Sequence, residues 1–68
     1  MTIKINGRDT QVDASVTLAE IARQHGVDES AGGVAIAVND IVVPRREWAA
    51  RRVVAGDTVE IIHAVQGG

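Results

Sequence analysis

The feature that most constrains this fold is its core, which must be built from short aliphatic side chains. The 68-residue chain has no Phe, Tyr or Cys, and Trp48 is its one aromatic residue. A chain of this size forms one small domain close to the lower limit for a self-sufficient core, and no disulfide can add stability. Val and Ile supply much of the packing and favour strands, so the sequence predicts a sheet-rich fold.

Charge and hydropathy argue against several classes of function. A net charge of −2 provides no basic stripe for a nucleic-acid backbone. The longest apolar run, Val34 to Val38, is far shorter than the ~20 residues of a membrane-spanning helix. Polar residues interrupt the N-terminus, where a signal peptide would need an apolar run. We therefore expect a cytoplasmic protein that binds neither nucleic acid nor membrane. Because no His and acidic pair has ligand spacing, we also expect no metal site.

The first elements predicted are two strands joined by a tight turn. Ile3 and Ile5 alternate with polar residues, which indicates a half-buried strand. The dipeptide Asn6-Gly7 favours a hairpin turn because both residues tolerate positive φ. A second strand is then expected from about Arg8 to Val12.

One helix follows, and its ends are well marked. Thr17 and Glu20 have the spacing of a capping box. Gly26 favours the left-handed conformation that ends many helices. The helical spacing predicts that one face packs on the core, formed by Leu18, Ile21, Ala22 and His25.

The next apolar segments predict a second pair of strands. Val34 to Val38 forms a third strand, Asn39-Asp40 a turn, and Ile41 to Val43 a short fourth strand. Pro44 ends that strand because proline cannot donate to a ladder.

The rest of the chain crosses over to a final strand. Arg45 to Arg52 is expected to form an irregular or single-turn segment over one end of the sheet. Gly56-Asp57 marks a turn, and Thr58 to Val65 is the last strand. Alternation places Val59 and Ile61 inward, with Glu60 and Ile62 outward.

The chain finishes with Gln66-Gly67-Gly68 directly after this strand. Glycine has no side chain, so the tail can enter a channel only a backbone wide, and its one reactive group is the terminal carboxylate. Extended, the last three residues span about 10 Å. We predict a folded domain of residues 1–65 and a flexible tail of residues 66–68, on whose Gly68 carboxylate another enzyme acts. The competing interpretation is a frayed, inert end.

The order of elements favours a helix packed across one face of a mixed sheet, with the first and last strands adjacent at its centre. We therefore expect an α+β fold of the ubiquitin-like β-grasp type, with four or five strands and one main helix. Six short segments carry a family resemblance by their order and spacing: Ile3-Lys4-Ile5-Asn6, Thr17-Leu18, Val38-Asn39, Val43-Pro44-Arg45 with Trp48, Gly56-Asp57, and Ala64-Val65-Gln66-Gly67-Gly68.

On these segments the chain resembles the ThiS family, the small sulfur carriers of thiamine biosynthesis. The resemblance implies that a ThiF-like adenylyltransferase uses ATP to convert the Gly68 carboxylate to an acyl-adenylate. A sulfur donor enzyme then displaces AMP, and the resulting thiocarboxylate delivers sulfur to the thiazole synthase ThiG. It also implies that the chain is a protein co-substrate rather than an enzyme, with no bound cofactor.

The outer face of the predicted sheet is the expected docking surface. Isolated exposed apolar residues are ordinary on protein surfaces, whereas a cluster beside the tail favours a partner site. In the tail, Gln66 and Gly67 are expected to be recognised along the backbone. If Ile36 and Val38 face the helix, the outward residues that would bind the partner are Ala35, Ala37, Ile62 and Ala64.

Other notable side chains suit structural roles. We expect His63 to be a half-buried strand residue and His25 to interact with the partial negative charge at the helix C-terminus. Trp48 is expected to cover the sheet edge. A solvated basic face is expected from Arg45, Arg46, Arg51 and Arg52.

Three alternative functions stay open at this point. The small subunit of molybdopterin synthase also combines a β-grasp fold with a Gly-Gly end, but the short length and the Val43 to Trp48 segment argue against it. A ubiquitin-like modifier would be joined to lysines of target proteins. A plain interaction domain would carry an inert tail. The fate of the tail, as thiocarboxylate, isopeptide bond or unmodified end, separates these alternatives.

Overall fold

The computed structural model describes residues 1–27 and 32–63 of the chain, and within them a five-stranded sheet with one α-helix. The helix α1 spans Leu18–Gln24, and a 3₁₀ turn spans Arg45–Glu47. The strands are β1 (Thr2–Ile5), β2 (Arg8–Gln11), β3 (Val34–Val38), β4 (Ile41–Val43) and β5 (Thr58–His63).

The sheet is mixed, and its strand order is β2-β1-β5-β3-β4. β1 and β5 run parallel beside each other at its centre, while the other neighbouring pairs are antiparallel. This arrangement confirms the predicted α+β topology of the β-grasp type. β2 ends at Gln11, one residue before the predicted Val12. β5 begins at Thr58 as predicted, and its predicted continuation to Val65 lies outside the described residues.

The predicted hairpin and helix stop are both present. Asn6 and Gly7 have φ values of 51° and 83°, as a type I′ turn between β1 and β2 requires. Gly26 has a φ of 76°, which is the left-handed conformation expected just after the helix. These positions were predicted because few residue types adopt such backbone angles without strain.

The core lies between α1 and one face of the sheet. Leu18, Ile21 and Ala22 are fully buried from the helix side, and Ile36 and Val59 from the sheet side, all in one apolar cluster. Trp48 belongs to the same cluster at 2% exposure. Its indole Nε1 donates a hydrogen bond to the Val43 carbonyl oxygen at 3.0 Å, so it covers the end of edge strand β4 and also fills the core.

The crossover segment before β5 fixes the start of the helix. The Leu18 and Ala19 N–H groups donate to the carbonyl oxygens of Arg51 and Trp48, at 3.0 and 3.1 Å. The Glu20 N–H donates to the Thr17 hydroxyl oxygen at 3.2 Å, which confirms the predicted cap. The first three N–H groups of a helix have no partner within it, so these bonds anchor α1 to the rest of the fold.

Both histidines differ from the sequence prediction in their burial. His25 is exposed rather than core-facing, because α1 ends at Gln24 and His25 is its C-cap. Its ring Nδ1 lies 2.9 Å from the Ile21 carbonyl oxygen, in keeping with the expected interaction at the helix C-terminus. His63 is exposed rather than half-buried. Its partner across the ladder, Val34, is itself only partly buried and packs against the core from its margin, so this pair lies at the border of the core.

Candidate functional site

The outer sheet face carries apolar residues along the last part of β5 and its neighbours. Ile62 is 44% exposed and pairs with Ala35 of β3, so both lie on this face as predicted. Val42 of β4 is 62% exposed and extends the apolar surface to the sheet edge. We call Ala35, Val42 and Ile62 the apolar face.

Ala37 is buried, although the alternation of β3 points it outward. Its exposure is 5%, and Val42 and Glu60 stand in register on either side of it. A methyl group between two longer side chains is shielded from a docking partner. Contrary to the prediction, Ala37 therefore contributes little accessible surface to this face, and Val42, which was not predicted, contributes more. The β3–β4 register identifies Val42, and alternation within β4 is the only sequence signal for it.

A shallow open depression of about 300 Å³ lies at the β5 end of this face. It is lined by Gly33, Val34, Ala35 and Ile62. Because Val34 pairs with His63, the depression sits where β5 leads toward the C-terminus. The other predicted site residues, Ala64, Gln66, Gly67 and Gly68, lie outside the described residues.

The other half of the outer face is polar. Lys4 of β1 pairs with Asp9 of β2, and Thr2 pairs with Gln11. The Gln11 amide Nε2 donates to the Thr2 hydroxyl oxygen at 2.8 Å. The outer face is thus polar over β1 and β2, while Ala35, Val42 and Ile62 are apolar on β3, β4 and the end of β5, and the exposed Glu60 is the charged residue of β5 on this face.

Arg45 lies at the end of the sheet where Val34 lines the depression. Its guanidinium carbon lies 4.7 Å from the centroid of the Trp48 ring, a cation–π distance, and Nη2 donates to the Val34 carbonyl oxygen at 3.4 Å. The predicted solvated basic face is confirmed for Arg46, Arg51 and Arg52, which are exposed, but Arg45 is half-buried. The sequence did not predict this placement because it depends on the path of the crossover segment.

Two asparagines fix the position of β5 on its two sides. The Asn6 side-chain oxygen accepts from the Ile61 N–H at 2.8 Å, on the β1 side. The Asn39 side-chain oxygen accepts from the Thr58 N–H at 3.0 Å, on the β3 side. Both residues have positive φ, which asparagine tolerates better than most residues. The strand that leads to the tail is therefore held by side chains as well as by its ladders.

Asp13, in the loop between β2 and α1, has a lowered pKa because the Ser15 backbone N–H and hydroxyl donate hydrogen bonds to its carboxylate. That loop is not part of the apolar face. Residues 1–27 and 32–63 hold no cluster of three or more metal-ligating side chains. In the same part of the chain, no helix has the length and apolar character needed to cross a membrane.

The chain is similar to known proteins over its whole length. The sequence pattern of the ThiS family matches residues 3–68, which includes the C-terminal Gly67-Gly68. The sulfur carrier protein ThiS of Escherichia coli strain K12 is 34% identical over 68 residues, covering 100% of both chains.

Solved structures agree with the fold. The crystal structure of a thiamine biosynthesis protein (ThiS) from Geobacter metallireducens superposes with a TM-score of 0.80 at 30% identity, covering 100% of both chains. A solution structure of a thiamine biosynthesis protein from the same organism gives a TM-score of 0.76 at 30% identity, covering 100% of this chain and 88% of that one.

Proposed function

The chain belongs to the ThiS family, and on this premise we propose that it is a sulfur carrier of thiamine biosynthesis. The observation that carries the proposal is the family match over residues 3–68, which extends through the Gly-Gly end. The apolar face on the side from which β5 continues to that end supports it. The names of the relatives, a sulfur carrier protein from Escherichia coli and a thiamine biosynthesis protein from Geobacter metallireducens, favour thiamine biosynthesis over molybdopterin synthesis or protein modification.

The proposed chemistry takes place at the Gly68 carboxylate, which is a poor electrophile until it is activated. A carboxylate oxygen attacks the α-phosphorus of ATP in the partner's active site, and pyrophosphate leaves. A hydrosulfide equivalent from the sulfur donor enzyme then attacks the acyl carbon and expels AMP. The product is a thiocarboxylate, in which sulfur has replaced one carboxylate oxygen. No redox step is needed when sulfur arrives at the oxidation level of sulfide.

The chain itself contributes a surface that the partner recognises and a tail that reaches the partner's active site. A folded body of residues 1–65 docks while the tail of residues 66–68 enters the active site of the partner. The apolar face of Ala35, Val42 and Ile62 binds a ThiF-like adenylyltransferase, which uses ATP, and the chain itself binds no cofactor. Gln66 and Gly67 are gripped along the backbone, and the thiazole synthase ThiG later accepts the sulfur. We place these ATP-dependent steps in the cytoplasm.

The proposal is tested by intact-mass measurement after incubation with the adenylyltransferase, ATP and a sulfur source. We expect the wild-type chain to gain the mass of one oxygen-to-sulfur exchange, and to gain nothing when ATP is omitted. A chain that becomes joined to lysines of other proteins would instead support the modifier alternative. A tail that stays unmodified under all conditions would support the inert interaction domain.

A further inference from the structure

β5 extends beyond β1 on one side of the sheet. The parallel ladder between them ends with the pair Ile5↔Val59. The antiparallel ladder with β3 continues along β5 as far as His63. Past Val59, β5 therefore has a neighbouring strand on the β3 side only, within residues 1–27 and 32–63. The last described part of the chain before the C-terminus is a half-open sheet edge.

Asn6, directly after β1, makes the hydrogen bonds at which the pairing on this side of β5 ends. Its N–H donates to the Val59 carbonyl oxygen at 2.9 Å, and its side-chain oxygen accepts from the Ile61 N–H at 2.8 Å. Its φ of 51° then turns the chain away into β2. The Asn6 side chain thus supplies the last acceptor on the β1 side, at the position where a longer β1 would have continued.

Strand alternation shows which main-chain groups face the open side. Val59 and Ile61 direct their main-chain groups toward β1, whereas Thr58 directs its groups toward Asn39 on the other side. By the same alternation, the Ile61 carbonyl and the His63 N–H point to the β1 side of β5, beyond the point where β1 ends. Among the described residues, none donates to that carbonyl or accepts from that N–H.

We propose that an extended segment of the adenylyltransferase adds to β5 at this edge, donating to the Ile61 carbonyl and accepting from the His63 N–H. Unpaired strand edges are templates for such strand addition, which recognises backbone rather than side chains. The inference rests on the proposed function. We name the adenylyltransferase because it is the first partner to act on the carboxylate in the proposed sequence of steps. Five residues follow His63 and span only about 17 Å when extended, so a partner that binds this edge stands beside the site that receives the carboxylate.

The test compares His63→Pro with His63→Ala. Both variants lose the imidazole, but only His63→Pro also loses the N–H, and the β3 ladder does not use that N–H. We expect His63→Ala to bind the adenylyltransferase within about twofold of wild type, and His63→Pro to bind at least about fivefold more weakly. Equal binding by the two variants would overturn the proposal. Matching thermal unfolding midpoints verify that both variants keep the fold.

Amide hydrogen exchange provides a second test that needs no substitution. In the free chain we expect fast exchange at His63 and slow exchange at Ile62, whose N–H points into the β3 ladder. In the complex, exchange at His63 should slow at least about tenfold. An unchanged exchange rate of the His63 N–H in the complex would overturn the proposal. Slow exchange of this N–H in the free chain that depends on protein concentration would also overturn it, because a second copy would then occupy the edge.

If wild type is never adenylated, the proposed function fails. If wild type is adenylated but these readouts are unchanged, only the edge proposal fails.

Discussion

The Asn39 side chain donates a hydrogen bond from Nδ2 to Oδ1 of Asp57 at 3.0 Å, joining the β3–β4 turn to the start of β5. Asp57 is the one buried charged residue among those described, at 8% exposure. Its second carboxylate oxygen accepts from the Val54 N–H at 2.9 Å, so both oxygens have partners. The pair fixes the point from which β5 runs toward the tail.

Replacing Asp57 should cost stability through this network. Asp57→Ala leaves the Asn39 amide and the Val54 N–H without their acceptor, which we expect to lower the free energy of unfolding by about 1–3 kcal/mol. Urea unfolding measures the change. The matched control is Asp9→Ala, which removes an exposed carboxylate and should change stability by less than about 0.5 kcal/mol. Equal midpoints for Asp57→Ala and wild type would show that the pair is not stabilising.

The cap of α1 makes a separate prediction. Thr17→Ala removes the acceptor of the Glu20 N–H and should destabilise the fold by about 1 kcal/mol. Thr17→Ser keeps the hydroxyl and is the matched control, with most of the stability retained. The measurement is the midpoint of thermal unfolding. If both variants unfold with the wild-type midpoint, the crossover segment alone secures the helix start.

The apolar face predicts an effect on binding without an effect on folding. Ile62→Glu places a charge on the docking surface and should weaken binding to the adenylyltransferase about tenfold, equivalent to about 1.4 kcal/mol. Val54 is 64% exposed but lies in the loop before β5, so Val54→Glu is the control for adding a charge to an exposed apolar position. Isothermal titration gives both affinities, and equal weakening by the two variants would refute the assignment of this face.

We predict that a larger side chain in the tail slows adenylation. Gly67→Val places a branched side chain where the partner's channel is expected to accept only backbone, and it also restricts the backbone. We expect adenylation, measured by pyrophosphate exchange, to slow by at least about tenfold, because positioning errors of about 1 Å can cost ~100-fold. Gln66→Ala shortens a side chain without adding bulk and should have a smaller effect. A Gly67→Val rate equal to wild type would exclude a narrow channel.

Local patterns predicted most of this fold. Asn6-Gly7, the Thr17 cap and the alternation of β5 are each decided by neighbours within a few residues, and the structure confirms them. The register of β5 was also predicted, since Ile62 faces outward. A slip of one residue would have moved Ile62 into the core.

The errors on Ala37 and Arg45 arose where distant segments decide the outcome. Ala37 is buried because Val42 and Glu60 flank it, which requires the registers of two ladders. Arg45 lies over Trp48 and beside Val34 because of the path of the crossover segment. No pattern of neighbouring residues encodes either contact. The predicted roles of Gly67 and Gly68 lie outside the described residues, so these roles stay predictions.

Deletion of Gly68 tests the central claim most directly. The deletion withdraws the carboxylate by about 3.5 Å but leaves the apolar face intact. The measurement is the intact mass of wild type and of the deletion variant after incubation with the adenylyltransferase, ATP and a sulfur source, with binding measured in parallel. We expect the variant to bind nearly as well as wild type but to gain no sulfur, while wild type exchanges one oxygen for sulfur. If the variant still acquires sulfur, the terminal carboxylate is not the reactive group, and the sulfur-carrier account is contradicted.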